Sequence, residues 1–181
     1  MNRQKFIEVI EEAFQNGVTC VQLREKKLST HEFYKLALEV KLVTDYYHIP
    51  LIINDRVDIC LAVNAAGVHI GDDELPIRVT RQLIGPHRLL GVSAKSIECV
   101  KEAESEGENF VGVGALFPTK TKQTQLTSVA TLKAIAQILS IPTIVIGGLN
   151  TLNIPQLSGS QIAGIAVVSD IMLADNPARQ T

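Results

Sequence analysis

The sequence predicts an α/β protein of the barrel type, a parallel sheet wrapped by helices, and three observations predict it. Short apolar runs alternate with amphipathic stretches of helical period along the whole chain. The strand-like runs are continuously apolar rather than alternating, as in Leu51-Ile52-Ile53, which suits strands covered on both faces. Polar residues or glycines recur just after almost every run: Arg24, Asn54-Asp55, Asp72 to Glu74, Ser93, Thr119, Gly148 and Ser169. In a barrel those strand ends converge on one mouth, where active sites sit. Seven strands are expected from the 181 residues, so the fold expected is a (β/α)8 TIM barrel lacking one strand. A doubly wound open sheet is the alternative.

The elements follow in order. Phe6 to Phe14 carry apolar residues at helical spacing and Asn16-Gly17 closes them, so the chain opens on a helix. Residues 19–23 form the first strand. Ser29-Thr30-His31-Glu32 caps a second helix that runs through about Tyr47. Leu42-Val43-Thr44-Asp45 lies inside that helix by phase. Pro50 ends the approach to a buried strand at 51–54, and 57–64 form a short helix. Residues 67–71 are the next strand, followed by the acidic loop Asp72-Asp73-Glu74 and a helix over 79–84. Strands at 89–93 and 110–114 flank a helix at 96–106. A polar loop then runs to about Thr127, and a helix covers 129–139. Strand 142–146 ends at Gly147-Gly148, a short helix covers 153–157, and strand 164–168 leads into a last helix beginning at Ser169.

Composition fits one globular domain over residues 1–181, with 46% hydrophobic and 20% charged residues. The net charge of -2 offers no broad basic surface for nucleic acid, so any anion site is local. No apolar stretch reaches the roughly 18 residues of a membrane span, and the N-terminal residues are amphipathic rather than a signal core. A cytoplasmic location is the expectation. Cys20, Cys60 and Cys99 are odd in number, widely spaced and in apolar settings, so buried thiols are expected.

The chemistry gathers at the strand ends. Arg24 and Lys26 stand two apart, on one side of an extended backbone. A guanidinium fork and an ammonium held close suit a diphosphate, although surface salt bridges would leave the same trace. Asp55 could simply cap the helix after it, and Glu74 could belong to a solvated turn. Together, two carboxylates from neighbouring strand ends can share Mg²⁺, which takes few protein oxygens and leaves sites for phosphate. The polar stretch Pro118-Thr119-Lys120-Thr121-Lys122 offers hydroxyls and an ammonium to phosphate, or is a solubilising loop. Gly148 lets backbone N–H groups approach an anion, and Val168-Ser169 opens a helix facing the same mouth. His69, inside an apolar strand, reads as a satisfied core or near-mouth histidine rather than a general base.

In order along the chain, Gln22-Leu23-Arg24-Glu25-Lys26, Leu51-Ile52-Ile53-Asn54-Asp55-Arg56, Gly67-Val68-His69-Ile70-Gly71, Gly91-Val92-Ser93-Ala94, Val113 to Lys122, Ile146-Gly147-Gly148 and Val167-Val168-Ser169 resemble the motifs of the thiamine-phosphate synthase family. The resemblance implies a (β/α)8 barrel that joins a hydroxymethylpyrimidine diphosphate to a thiazole phosphate and releases diphosphate. It implies that Gln22, Arg24, Lys26, Asn54, Ser93 and Lys122 hold the pyrimidine diphosphate. Arg24, Lys26, Ser93 and Lys122 are its catalytic candidates. Asp55 and Glu74 would hold Mg²⁺, and Thr119, Thr121, Gly148, Val168 and Ser169 the thiazole phosphate. The partners implied are these small molecules alone, with neither nucleic acid nor membrane.

The chain departs from the family pattern in four places. Glu74 stands where the family usually has Asp, which leaves Asp72 or Asp73 as further oxygen donors. The family's first strand is absent, and residues after Pro177 leave no room for a full last helix. An incomplete barrel exposes two unpaired edges, and a homo-oligomer is one way to cover them. The loop after Lys122 is also short. Two alternatives follow: an impaired relative that only binds thiamine precursors, or the related thiazole tautomerase. The tautomerase family places a histidine where this chain has Ala115.

Overall fold

The computed structural model describes residues 2–94, 106–119 and 125–181. The expected helix at 96–106 and the residues Lys120 to Thr124 lie outside them, apart from Glu106. Helix α1 spans Arg3–Gln15, capped by the Asn2 side chain accepting from the Lys5 N–H. Strand β1 is Val21–Leu23, and α2 is Thr30–Tyr46. α2 opens on a complete capping box: the Ser29 side chain accepts from the Glu32 N–H while the Glu32 carboxylate accepts from the Ser29 N–H. Then come β2 (Leu51–Asn54), α3 (Val57–Ala62), β3 (Gly67–Ile70), α4 (Ile77–Ile84), β4 (Leu89–Ala94) and β5 (Phe110–Val113). The chain continues with α5 (Val129–Ile138), β6 (Thr143–Ile146), a 3-10 turn at Ile154–Leu157, β7 (Gly164–Ala166), α6 (Ser169–Met172) and a 3-10 turn at Pro177–Arg179.

The seven strands form one parallel sheet in the order β1-β2-β3-β4-β5-β6-β7. Chain order and spatial order coincide, so the sheet never reverses direction. A doubly wound sheet reverses at a switch point, and that alternative is therefore overturned. Among the described residues, β1 and β7 each lack a partner on one side. The helical layer nevertheless meets across this gap, because α1 packs against α6 and the Pro177–Arg179 turn.

Alternation sorts each strand's residues onto two faces. Leu23, Leu51, Ile53, Val68, Ile70, Leu90 and Val92 join Ile10, Phe14, Phe33, Ala37 and Val40 in one apolar cluster under the helices. Val111, Val113 and Val145 do the same with Leu132 and Ile135 of α5. The opposite face carries Gln22, Asn54, His69, Gly91, Ser93, Phe110 and Gly112. Register places Asn54, His69, Gly91 and Phe110 in one layer, and Ser93 and Gly112 in a second layer nearer the strands' C-terminal ends.

Several expectations are corrected. Cys20 is exposed because β1 starts only at Val21, which leaves Cys20 in the approach; Cys60 is buried as expected. Helix α4 begins at Ile77, directly after Pro76, whose fixed φ suits a helix entry. β7 stops at Ala166, and the last helix is a single turn. Asp55 does not cap α3, whose N-cap is Arg56 with no side-chain cap bond.

Candidate active site

Three sequence-predicted residues from consecutive strand ends meet around one cation. Arg24 follows β1, Asp55 follows β2, and Glu74 lies in the loop after β3. The Lys26 ammonium contacts Asp55 Oδ2 and stands 3.7 Å from Glu74 Oε1. The Arg24 guanidinium lies 3.7 Å from the same Asp55 oxygen. Asp55 is the enclosed member, its side chain 10% exposed against 51% for Lys26.

Local backbone chemistry fixes this cluster. Asp55 sits at φ 65, the left-handed region that few non-glycine residues enter, and Asp is among those that tolerate it. Its N–H donates to the His69 carbonyl at 2.7 Å, which ties it to β3. Glu25 does not join the mouth. Its carboxylate accepts from the Lys26 and Lys27 N–H groups at 2.7 and 2.6 Å, and those bonds hold its pKa below the usual range. Arg56 turns away as well, pairing with Asp58 and donating to Thr30 Oγ1.

The wall of the site is polar and deep. Asn54 is 5% exposed, and among the described residues no acceptor serves its Nδ2. Burying such a donor costs about 1–3 kcal/mol, which a ligand oxygen would offset. Ser93 Oγ lies 3.0 Å from His69 Nε2. Gln22 is exposed on β1.

A second group of predicted residues lines a cleft of about 430 Å³ that includes Thr119, Gly148, Asn150, Ser169 and Leu173. Gly148 is at φ 66, and a Cβ there would meet the Phe117 and Pro118 carbonyl oxygens at 2.6 Å. Only glycine lets the end of β6 and this loop approach so closely. Val168 is 45% exposed just before Ser169. Thr121 and Lys122 lie outside the described residues. Sequence reasoning missed the interior glycines: a Cβ at Gly91 would lie 2.1 Å from the Phe110 ring, and one at Gly112 would lie 2.9 Å from the His69 ring. The period-two spacing Gly91-x-Ser93 and Phe110-x-Gly112 is the signal that could have found them.

For a divalent ion, the donor set is spare. The described residues contain no group of three or more His, Cys, Asp and Glu side chains placed for a metal. Asp55 and Glu74 nonetheless both face the position that the Lys26 ammonium reaches. Two carboxylates completed by phosphate and water are what Mg²⁺ commonly accepts, so the residues fit such an ion.

Comparison with known proteins bears on what this arrangement is. A family model described as thiamine monophosphate synthase matches residues 1–171. The chain belongs to that family. It is 58% identical over 171 residues to thiamine-phosphate synthase of Enterococcus faecalis, spanning 94% of this chain and 81% of that one. It is 53% identical over 180 residues to thiamine-phosphate synthase of Lacticaseibacillus paracasei, spanning 99% of this chain and 84% of the relative. The solved structure of thiamine phosphate pyrophosphorylase from Pyrococcus furiosus superposes with a TM-score of 0.88 at 31% identity, covering 98% and 93% of the two chains. No helix among the described residues is long and apolar enough to cross a membrane.

Proposed function

We propose that the chain is a Mg²⁺-dependent transferase that couples hydroxymethylpyrimidine diphosphate to thiazole phosphate, with release of diphosphate and formation of thiamine phosphate. The reading rests on the family membership and is carried by one observation: Asp55 held between Arg24 and Lys26, with Glu74 on the far side of Lys26. Arg24 and Lys26 bind and orient the diphosphate and stabilise the negative charge it gains as it leaves. Asp55 and Glu74 would hold Mg²⁺, which supplies further charge neutralisation at the leaving group. Asn54 and Ser93 line the wall against which the pyrimidine rests, with Gln22 at its rim. Lys122, outside the described residues, is a further cation for the diphosphate in this reading. Thr119, Gly148, Val168 and Ser169 hold the thiazole phosphate in the neighbouring cleft, so its nitrogen meets the pyrimidine carbon as the diphosphate departs; Thr121, outside the described residues, is a further hydroxyl for that phosphate.

The sheet in this reading is a (β/α)8-type barrel open between β1 and β7. Its strand order supports that closure, as does the packing of α1 on the C-terminal turns. The cytoplasm is the compartment this chemistry calls for, and a homo-oligomer would shield the open edges. The chain is incubated with both phosphorylated precursors and Mg²⁺. Thiamine phosphate that appears, and that falls sharply with Arg24→Ala, supports the synthase. Precursor binding without turnover would point to a binding relative, and isomerised thiazole without coupling to the tautomerase. Against the tautomerase stands Ala115, a buried methyl-bearing residue at the position where that family carries its histidine.

A further inference from the structure

We infer that His69 is a positioning residue for this reaction: its ring holds the Ser93 hydroxyl in the one orientation that faces the incoming pyrimidine. The inference rests on the synthase reading above. His69 is 8% exposed and lies in the interior layer with Asn54, Gly91 and Phe110. Its Nε2 reaches 3.0 Å from Ser93 Oγ, one layer nearer the mouth.

The ring has a single seat. A Cβ at residue 91 would come within 2.6 Å of His69 Nδ1, and a Cβ at residue 112 within 2.9 Å of Cε1. Glycine at both places clears the space. Phe110 closes another side, its ring centroid 5.6 Å away and tilted by 35°. A serine hydroxyl by itself samples three staggered wells and a rotating proton. One hydrogen bond to an immobile ring selects among them. Whichever atom supplies the proton, the remaining bonding capacity of Oγ is directed away from the ring.

A purely space-filling role explains less. A buried imidazole costs free energy unless it is hydrogen-bonded, and an apolar side chain would fill the same volume without that cost. His69 also reaches the site through its backbone, because its carbonyl accepts from the N–H of Asp55 at 2.7 Å. A side-chain replacement leaves that second tie in place, so the imidazole's part can be measured alone.

The test is steady-state coupling of the two phosphorylated precursors by the wild-type chain and by H69N, H69Q, S93A and H69N/S93A, with thermal unfolding of each. The H69N amide is too short to reach Ser93, and kcat is expected to fall about 10- to 100-fold with KM for the thiazole phosphate unchanged. The H69Q amide extends to the Nε2 position and recovers most of the rate. On the S93A background, adding H69N costs less than about threefold, because the group to be oriented is gone. A merely structural role would lower both backgrounds alike. Wild-type turnover in H69N, an equal loss with and without Ser93, or no recovery in H69Q overturns the inference. If the wild-type chain forms no thiamine phosphate, the synthase reading falls and takes this one with it. That result is distinct from a coupling wild type with an indifferent H69N.

Discussion

Asp55 combines an uncommon backbone with an enclosed charge. A non-glycine residue at φ 65 costs about 1–2 kcal/mol unless its side chain tolerates the region, as Asp and Asn do. Asp55→Asn should therefore hold the fold while weakening Mg²⁺ and diphosphate binding. Asp55→Ala should lose the same function and about 1 kcal/mol of stability besides. Urea midpoints and product formation separate the two effects. Cys60 gives a pH-dependent prediction. Burial raises its thiol from 9.0 to about 11, and its Sγ lies 3.2 Å from the Gly67 carbonyl oxygen. A raised thiol pKa contributes stability that is complete below pH 9.0 and is lost as pH climbs toward about 11. Iodoacetamide at about pH 8 should modify exposed Cys20 in the native state and Cys60 only on unfolding, as peptide mapping would reveal. At this scale, the gathering of Arg24, Lys26, Asp55 and Glu74 was legible because each lies within a few residues after an apolar run. The pairing of His69 with Ser93 was not, since 24 residues separate them and only the sheet register joins them.

Among the elements, local chemistry decides most boundaries. The Ser29–Glu32 capping box is readable from four consecutive residues, and α2 starts where it predicts. Ser29→Ala should cost about 1 kcal/mol in chemical denaturation. Strand interiors depend on their neighbours instead. Gly91→Ala would bring a methyl within 2.1 Å of the Phe110 ring and 2.6 Å of the His69 ring, rigid aromatic groups rather than flexible chain ends. Overpacking of this kind costs about 1–3 kcal/mol, so the urea midpoint should drop with the m-value unchanged. Nothing in a single apolar run says which ring from two strands away will occupy its glycine, which is why these positions escaped the sequence. β7 shows the converse. Gly164 to Val168 reads as five strand residues, but its outer side lacks a partner and the ladder ends at Ala166.

For the whole molecule, strand order was legible in kind, because alternating helix and strand force parallel neighbours. Closure was not, because it depends on contacts between the two ends of the chain. Among the described residues, β1 and β7 each bond on one side only, while α1 bridges their helical layer. Native-state hydrogen exchange should therefore be faster at Val21–Leu23 and Gly164–Ala166 than at Val111–Val113 in the sheet centre. Uniform protection across all seven strands would mean the edges are covered in solution.

The ammonium of Lys26 has a further consequence for how the mouth is loaded. In the proposed reading, a divalent ion arriving alone finds Asp55 and Glu74 already facing a tethered monovalent rival. That rival is half-exposed, and in the proposed reading an entering diphosphate gives it a second destination. Occupancy by ion and substrate should thus be mutually reinforcing. Calorimetric titration with Mn²⁺ should show weak uptake by the chain alone, stronger uptake with diphosphate present, and a narrowed difference in Lys26→Ala.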